Sequence, residues 1–164
     1  MTSTTPASTT VEDLLDERDI VAAAIRYTWA LDTHDWAMLD TVFASDATAY
    51  LTRPKLLEGR PAIVERVTTA LSPLDDSQHL VGNHEVAITR GSDGAPDTAT
   101  HRCYLHAQHI RRAAAIDGRS PHYVVAGRYE DRFERRAEGW RIVHRELVTM
   151  WTDGNSEVVT GGPR

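Results

Sequence analysis

The chain has 164 residues, a net charge of −6, 41% apolar and 26% charged residues. That is one domain's worth of sequence with enough apolar side chains to bury a core, which excludes disordered and membrane-embedded classes. The acidic balance and the absence of a basic stripe argue against a nucleic-acid partner.

The first ten residues are rich in Thr and Ser and have neither the basic nor the apolar region of a signal peptide, so 1–10 is expected to be a disordered leader. From Val11 to about Thr33 the pattern predicts one long amphipathic helix, capped by Thr9 or Thr10 with Glu12 and Asp13 in its first turn. Val21, Ile25 and Trp29 recur at spacing four, and Asp32 falls seven residues after Ile25, which puts a carboxylate over an apolar stripe. A carboxylate held away from water needs a hydrogen-bonding partner. His79, in Gln78-His79-Leu80-Val81-Gly82, is the favoured one, and an Asp–His pair is a general-base device.

A short helix is predicted over about Trp36 to Phe43, a short strand over Ala47 to Leu51, and a third helix from Gly59-Arg60-Pro61 through Leu71. Strands follow at His79 to Ile88, Thr98 to Arg112, His122 to Glu134 and Trp140 to Thr152. They are separated by turn-rich segments at 90–97, through Asp117 to Pro121, and at 137–139. Residues 11–153 thus form the domain, and 154–164 reads as a flexible tail. Helices first and antiparallel strands after indicate an α+β fold whose curved sheet wraps the long helix and leaves a pocket.

Strand alternation divides the pocket candidates. His101, Cys103, Leu105, Ala107 and His109 form the inward set of the second long strand. Tyr123, Val125, Gly127, Tyr129 and Phe133 form that of the next, and the charged run from Arg128 to Arg132 reads as a solvated face. In the last strand Val143, Arg145, Leu147, Thr149 and Trp151 are taken as inward, although Trp140, Ile142, Val148 and Met150 make the opposite face apolar too. A subunit interface would cover that second face. An unpaired buried guanidinium is expensive, so Arg145 stands out as a functional candidate.

Eight histidines raise the question of a metal. His101 and His109 share a face but lie roughly 26 Å apart along a strand, and neither HxH nor HExxH occurs, so no metal site is expected. A single cysteine, Cys103, makes no intrachain disulfide and fits a reducing cytoplasm. Plainer roles stay open: an Asp at a helix end also ties down loops, and a strand histidine is often structural.

Leu31-Asp32-Thr33-His34-Asp35-Trp36, Phe43-Ala44-Ser45-Asp46-Ala47, Gly127-Arg128-Tyr129-Glu130-Asp131 and Gly139-Trp140-Arg141-Ile142 resemble the SnoaL-like branch of the nuclear transport factor 2-like superfamily across roughly residues 11 to 153. The resemblance implies a cone-shaped α+β barrel of cystatin-like type, with a curved, mostly antiparallel sheet around the N-terminal helix. Within the superfamily the pair Asp32–His79 is similar to the dyad of scytalone dehydratase, bile-acid 7-alpha-dehydratase and hexachlorocyclohexane dehydrochlorinase. By the same resemblance His109 matches a second catalytic histidine, Arg145 an arginine, Tyr27 a helix tyrosine and Tyr129 a pocket aromatic. Tyr50 matches a further pocket tyrosine after a one-residue slip. Ala107 and Leu31 depart from residues those enzymes use, so no substrate carries over.

The resulting expectation is a cofactor-independent lyase or isomerase of dehydratase type acting on a small apolar molecule. Asp32, His79, His109, Tyr27 and Arg145 would be catalytic, and Tyr50, Tyr129, Trp29, Val125 and Thr149 would contact substrate. The resemblance also implies a homo-oligomer, a trimer or a dimer, with no cofactor and no membrane partner. Its alternatives are a non-catalytic ligand-binding or assembly subunit, like the small subunit of ring-hydroxylating dioxygenases, and a polyketide cyclase or epoxide hydrolase.

Overall fold

The computed structural model describes residues 9–116 and 118–161. Helix α1 (Val11–Thr33) starts on a capping box in which the Thr10 hydroxyl accepts from the Asp13 amide and the Asp13 carboxylate accepts from the Thr10 amide. Thr10 therefore belongs to the domain, whereas the rest of the expected leader, 1–8, lies outside the described residues. A 3-10 helix (Trp36–Thr41), strands β1 (Phe43–Thr52) and β2 (Lys55–Glu58), and α2 (Arg60–Leu71) follow. Strand β2 has no counterpart in the sequence reading; its four residues are too few for a pattern. Then come β3 (Asp76–Thr89), β4 (Thr98–Ile110), β5 (His122–Arg136), β6 (Gly139–Gly154) and α3 (Glu157–Thr160). Asp117, in the turn-rich segment before β5, lies outside the described residues.

One six-stranded sheet runs β2-β1-β6-β5-β4-β3. Strands β3 to β6 form an antiparallel meander, and β1 joins β6 in parallel. The sheet curves around α1 with α2 beside it, so the fold is the expected α+β cone.

The helix meets the sheet with a different face from the one the sequence suggested. Ile20, Ala23, Ala24, Tyr27, Ala30 and Leu31 are buried, while Ile25 and Trp29 are 38% and 58% exposed. Small alanines let the helix backbone approach the sheet, and the bulky stripe faces outward. Trp29 consequently touches no substrate cavity, which corrects its expected role.

Two irregularities in β6 resolve its apparent two-faced pattern. Register against β5 shifts between Arg132↔His144 and Phe133↔Ile142, and again between Ala126↔Trp151 and Gly127↔Thr149. Each extra residue flips the alternation. Trp140 and Ile142 are therefore buried in the core together with Arg145, and Trp151, expected inside, is 52% exposed. At the second bulge a Cβ on Gly127 would stand 2.4 Å from the Val148 carbonyl oxygen, so only glycine lets the strands approach.

The 154–161 segment is not a loose end. Asn155 donates to the Ala114 and Ser120 carbonyls at 3.1 Å each, and Val158 on α3 is 1% exposed. The sequence offers only the apolar pair Val158-Val159 there, too short a signal to read against the flanking glycines. Residues 162–164 lie outside the described residues.

Asp16 ties α1 to the meander. Its carboxylate accepts from Trp140 Nε1 at 3.0 Å and from Arg90 Nη1 at 2.6 Å, and it pairs with Arg135. Replacing Asp16 with Ala leaves the buried indole N–H without its acceptor and removes the carboxylate between two guanidinium groups. The expected cost is about 3 kcal/mol in urea denaturation; a loss under ~1 kcal/mol would show the cluster to be surface decoration.

Candidate active site

Asp32, in the last turn of α1, and His79, near the start of β3, meet where the helix crosses the sheet. His79 Nδ1 lies 2.6 Å from Asp32 Oδ1. Ser77 Oγ, two residues earlier on the same strand, donates to the same oxygen at 2.9 Å, and the His79 backbone N–H donates to Oδ2 at 2.8 Å. Burial opposes the charge on Asp32, but these bonds from His79 and Ser77 outweigh it and hold the carboxyl below its ordinary range. An ionised Asp32 requires a proton on His79 Nδ1, which leaves Nε2 with its lone pair free. Ser77 was not anticipated, although its spacing puts it on the same strand face as His79.

A cavity of about 570 Å³ opens beside the dyad. His79 and His109 line it along with Tyr27, Tyr129, Val125 and Thr149, all expected to contact substrate or take part in chemistry. Leu105, Tyr123 and, from the end of the chain, Val159 and Thr160 contribute as well. Asp32 stands behind His79 and is not on the wall. Arg53 and Arg66 also border the cavity, and Glu146, its one acidic lining residue among the described residues, pairs with Arg53 at 2.7 Å.

His109 sits with its ring centroid 5.2 Å from that of His79. Its Nδ1 is 3.2 Å from the Tyr123 carbonyl oxygen, which can only accept, so Nδ1 carries the proton and Nε2 is an acceptor. Burial, then the neighbouring His79 charge, pushes His109 down to about 4. It is therefore neutral at physiological pH, and its free nitrogen can accept from a substrate hydroxyl. The depressed value also has a consequence for stability. Between pH 6.5 and 4 the unfolded chain binds a proton that the folded chain does not, so stability falls as pH drops through that window. The contribution amounts to about 3 kcal/mol by pH 4. His109→Asn, which keeps a donor for Tyr123, is expected to flatten that part of the stability–pH curve; an unchanged curve would contradict the assignment.

Besides Trp29, two expected site residues lie elsewhere. Tyr50 is on the outer face of β1, its ring 4.4 Å from the Arg53 guanidinium carbon and 6.1 Å from the His144 ring centroid. Its neighbours Leu51 and Thr52 line the cavity instead, so the one-residue slip in the resemblance is a change of face. Arg145 is fully buried but does not line the cavity. Its Nε and Nη2 each lie 2.7 Å from an oxygen of Asp131, a bidentate pair. Its guanidinium carbon stands 4.3 Å from the Tyr27 ring centroid and 4.2 Å from that of Tyr129. Nη1 has no hydrogen-bond acceptor among the described residues. Arg145 thus stands behind the two tyrosines that face the cavity. Burial raises the phenol of Tyr27 above its usual value, and the Arg145 charge partly offsets that rise. Asp131, read as part of a solvated face, is 3% exposed. Its odd-numbered position, in phase with Tyr129 and Phe133, was the signal that could have found it.

The SnoaL-like domain family matches residues 12–146. The chain belongs to that family. This SnoaL-like protein is 28% identical over 137 residues to the uncharacterized protein Rv2910c of Mycobacterium tuberculosis, covering 82% of this chain and 86% of that one. A Novosphingobium aromaticivorans structure named as a proposed scytalone dehydratase superposes with a TM-score of 0.71 at 21% identity, over 87% of this chain and 89% of that one. A type 2 hexachlorocyclohexane dehydrochlorinase superposes with a TM-score of 0.72 at 13% identity, over 94% and 99%. At such identities the two structures establish the shared fold. Among the described residues no helix is long and apolar enough to cross a membrane.

Proposed function

We propose that this SnoaL-like protein is a cofactor-independent lyase of dehydratase type, with Asp32 and His79 as its proton-abstracting dyad. The observation that carries the reading is the 2.6 Å Asp32–His79 contact at the wall of a cavity of about 570 Å³. His79 Nε2 takes a proton from carbon next to a carbonyl; the released electron pair forms the new double bond as the C–O bond to the β-hydroxyl breaks, and the hydroxyl leaves as water by taking that proton from the His79 imidazolium, which returns to its neutral form. Asp32 fixes the His79 tautomer and stabilises the imidazolium that forms. The hydroxyls of Tyr27 and Tyr129 supply hydrogen bonds to the carbonyl or the departing oxygen. Arg145 positions those tyrosines and keeps positive charge behind them without touching substrate.

Two further points favour this reading over its rivals. A non-catalytic assembly subunit has no use for a histidine oriented by a triply bonded carboxylate beside an open cavity. Epoxide hydrolysis calls for pocket carboxylates that activate water, and the one acidic lining residue, Glu146, is occupied by Arg53. The dehydratase and dehydrochlorinase names of the two superposed proteins denote eliminations, which agrees with the proposed reaction class.

The test is a panel of apolar β-hydroxy ketones watched for enone absorbance, with solvent deuterium incorporation at the α-carbon as a second readout. Turnover or α-exchange is expected with at least one cyclic member. Turnover that proceeds equally well in the Asp32→Asn, His79→Ala double variant would overturn the dyad mechanism.

A further inference from the structure

The β3–β4 ladder slips between Gly82↔Tyr104 and Glu85↔Arg102, so Asn83 and His84 both stand opposite Cys103. Asn83 takes the left-handed conformation, φ 55°, that such an inserted residue needs. The bulge moves the inward set of β3 from His79 and Val81 to His84, Val86 and Ile88. His84 is thereby turned onto His101, with ring centroids 5.3 Å apart and planes at 26°. Its Nδ1 lies 3.0 Å from His101 Nε2.

On the other side, His101 Nδ1 is 2.9 Å from Asp131 Oδ2, the carboxylate already held by Arg145. An ionised Asp131 accepts, so Nδ1 carries the proton and His101 Nε2 presents a lone pair to His84 and Cys103. One ligand atom each from His84, His101 and Cys103 falls within 4.8 Å of the other two. None of these three lines the substrate cavity, and the proposed elimination uses none of them.

We propose that His84, His101 and Cys103 form a binding site for a zinc-type divalent transition-metal ion. The donor set, two imidazole nitrogens and one thiolate, selects borderline-soft ions and excludes Ca²⁺ and Mg²⁺, which need oxygen ligands. Metal–nitrogen bonds of about 2.0–2.1 Å and a metal–sulfur bond of about 2.3 Å bring tetrahedral ligands roughly 3.3–3.6 Å apart. The His84–His101 nitrogens, 3.0 Å apart, are already close to that spacing, and the Cys103 sulfur, within 4.8 Å of both, closes on them by a small side-chain shift. Asp131 behind His101 makes a carboxylate–histidine–metal arrangement, which fixes the tautomer and raises the basicity of the ligand. His84 is only half-buried, so its side of the site can admit the ion and a water as fourth ligand. Binding converts the Cys103 thiol to a thiolate and releases one proton; the His84 proton moves to Nε2 as Nδ1 turns to the metal. The sequence gives no hint of the site, because its ligands are brought together by a bulge across two strands and not by spacing along one.

The test is titration of the reduced, tag-free full chain with Co²⁺, read by the thiolate-to-cobalt charge-transfer band in the near ultraviolet, followed by displacement with Zn²⁺. One Co²⁺ per chain with that band is expected, together with a Zn²⁺-dependent rise in melting temperature. His84→Ala, which removes a half-exposed ring, should weaken Co²⁺ binding at least about tenfold and abolish the Zn²⁺ shift. Cys103→Ser should remove the charge-transfer band, and His79→Ala should leave it intact. No band in the wild-type chain, an unchanged affinity in folded His84→Ala, or loss of the band in His79→Ala overturns the proposal. The His84 arm decides even where Cys103→Ser does not fold.

Discussion

His79→Ala is expected to lower kcat on a β-hydroxy ketone substrate by about 10²- to 10⁴-fold, the range over which positioned general bases act. The size follows from the geometry. Among the cavity-lining histidines, His79 has its Nδ1 against a carboxylate, while His109 has Nδ1 committed to a neutral carbonyl and no anion behind it to stabilise an imidazolium. His109 therefore cannot take over when His79 is lost. Asp32→Asn should cost a similar factor by a different route. A side-chain amide offers one acceptor oxygen where the carboxylate offers two, so it cannot satisfy Ser77, the His79 amide and the His79 ring together. Its N–H₂ group turned toward Nδ1 would select the tautomer whose Nε2 is protonated and useless as a base. Steady-state kinetics on variants shown to be folded by circular dichroism check both; a His79→Ala enzyme retaining more than a tenth of wild-type kcat would remove the dyad from the mechanism.

Much of this arrangement was legible in the sequence, though not always for the right reason. Asp32 was singled out because it seemed to fall on the stripe Val21–Ile25–Trp29, yet that stripe faces outward and the helix packs through Ala23, Tyr27 and Ala30. Hydrophobicity ranks tryptophan above alanine, whereas a close helix–sheet contact prefers the smaller side chain, so periodicity found the helix and misplaced its face. Asp32 reaches His79 because it sits at the edge of the buried face in the last turn. Strand alternation placed His101 to His109 and Tyr123 to Phe133 correctly, since β4 and β5 pair with each other without a register break. It failed at the two ends of β6, where bulges invert the inside and outside sets, and it was not applied to β3, where a further bulge turns His84 inward. A bulge leaves almost no mark in a single sequence, and that is why Trp151 was placed inside and His84 was overlooked. The same blindness hid the role of Arg145: burial was inferable from its position, but its partner Asp131 was lost in a run of charges that looked solvated.

Asp131→Ala is the substitution expected to destabilise the fold most, by about 3–5 kcal/mol, the range for removing one partner of a buried ion pair. Asp131 accepts from Arg145 Nε and Nη2 and lies against the ring nitrogen of His101, all with side chains fully out of solvent. Burial alone would raise its carboxyl; the Arg145 charge and these bonds overcome that and hold it below the usual range. Its stabilising contribution is therefore present above the unfolded carboxyl value near 3.9 and is lost as pH falls through the lower folded value. Without Asp131 the guanidinium keeps the faces of Tyr27, Tyr129 and Phe43, which attract a cation but accept no hydrogen bond in its plane. The variant that discriminates is the double one, Asp131→Leu with Arg145→Met. It removes both charges and should recover more than half of the stability lost in Asp131→Ala, because a matched apolar pair carries no desolvation cost. The double variant should also leave Tyr27 and Tyr129 without the charge that favours their ionised forms, so kcat falls even where stability returns. Urea denaturation of the three proteins gives the energies, and a double variant no more stable than Asp131→Ala would mean that shape, not charge, dominates this part of the core.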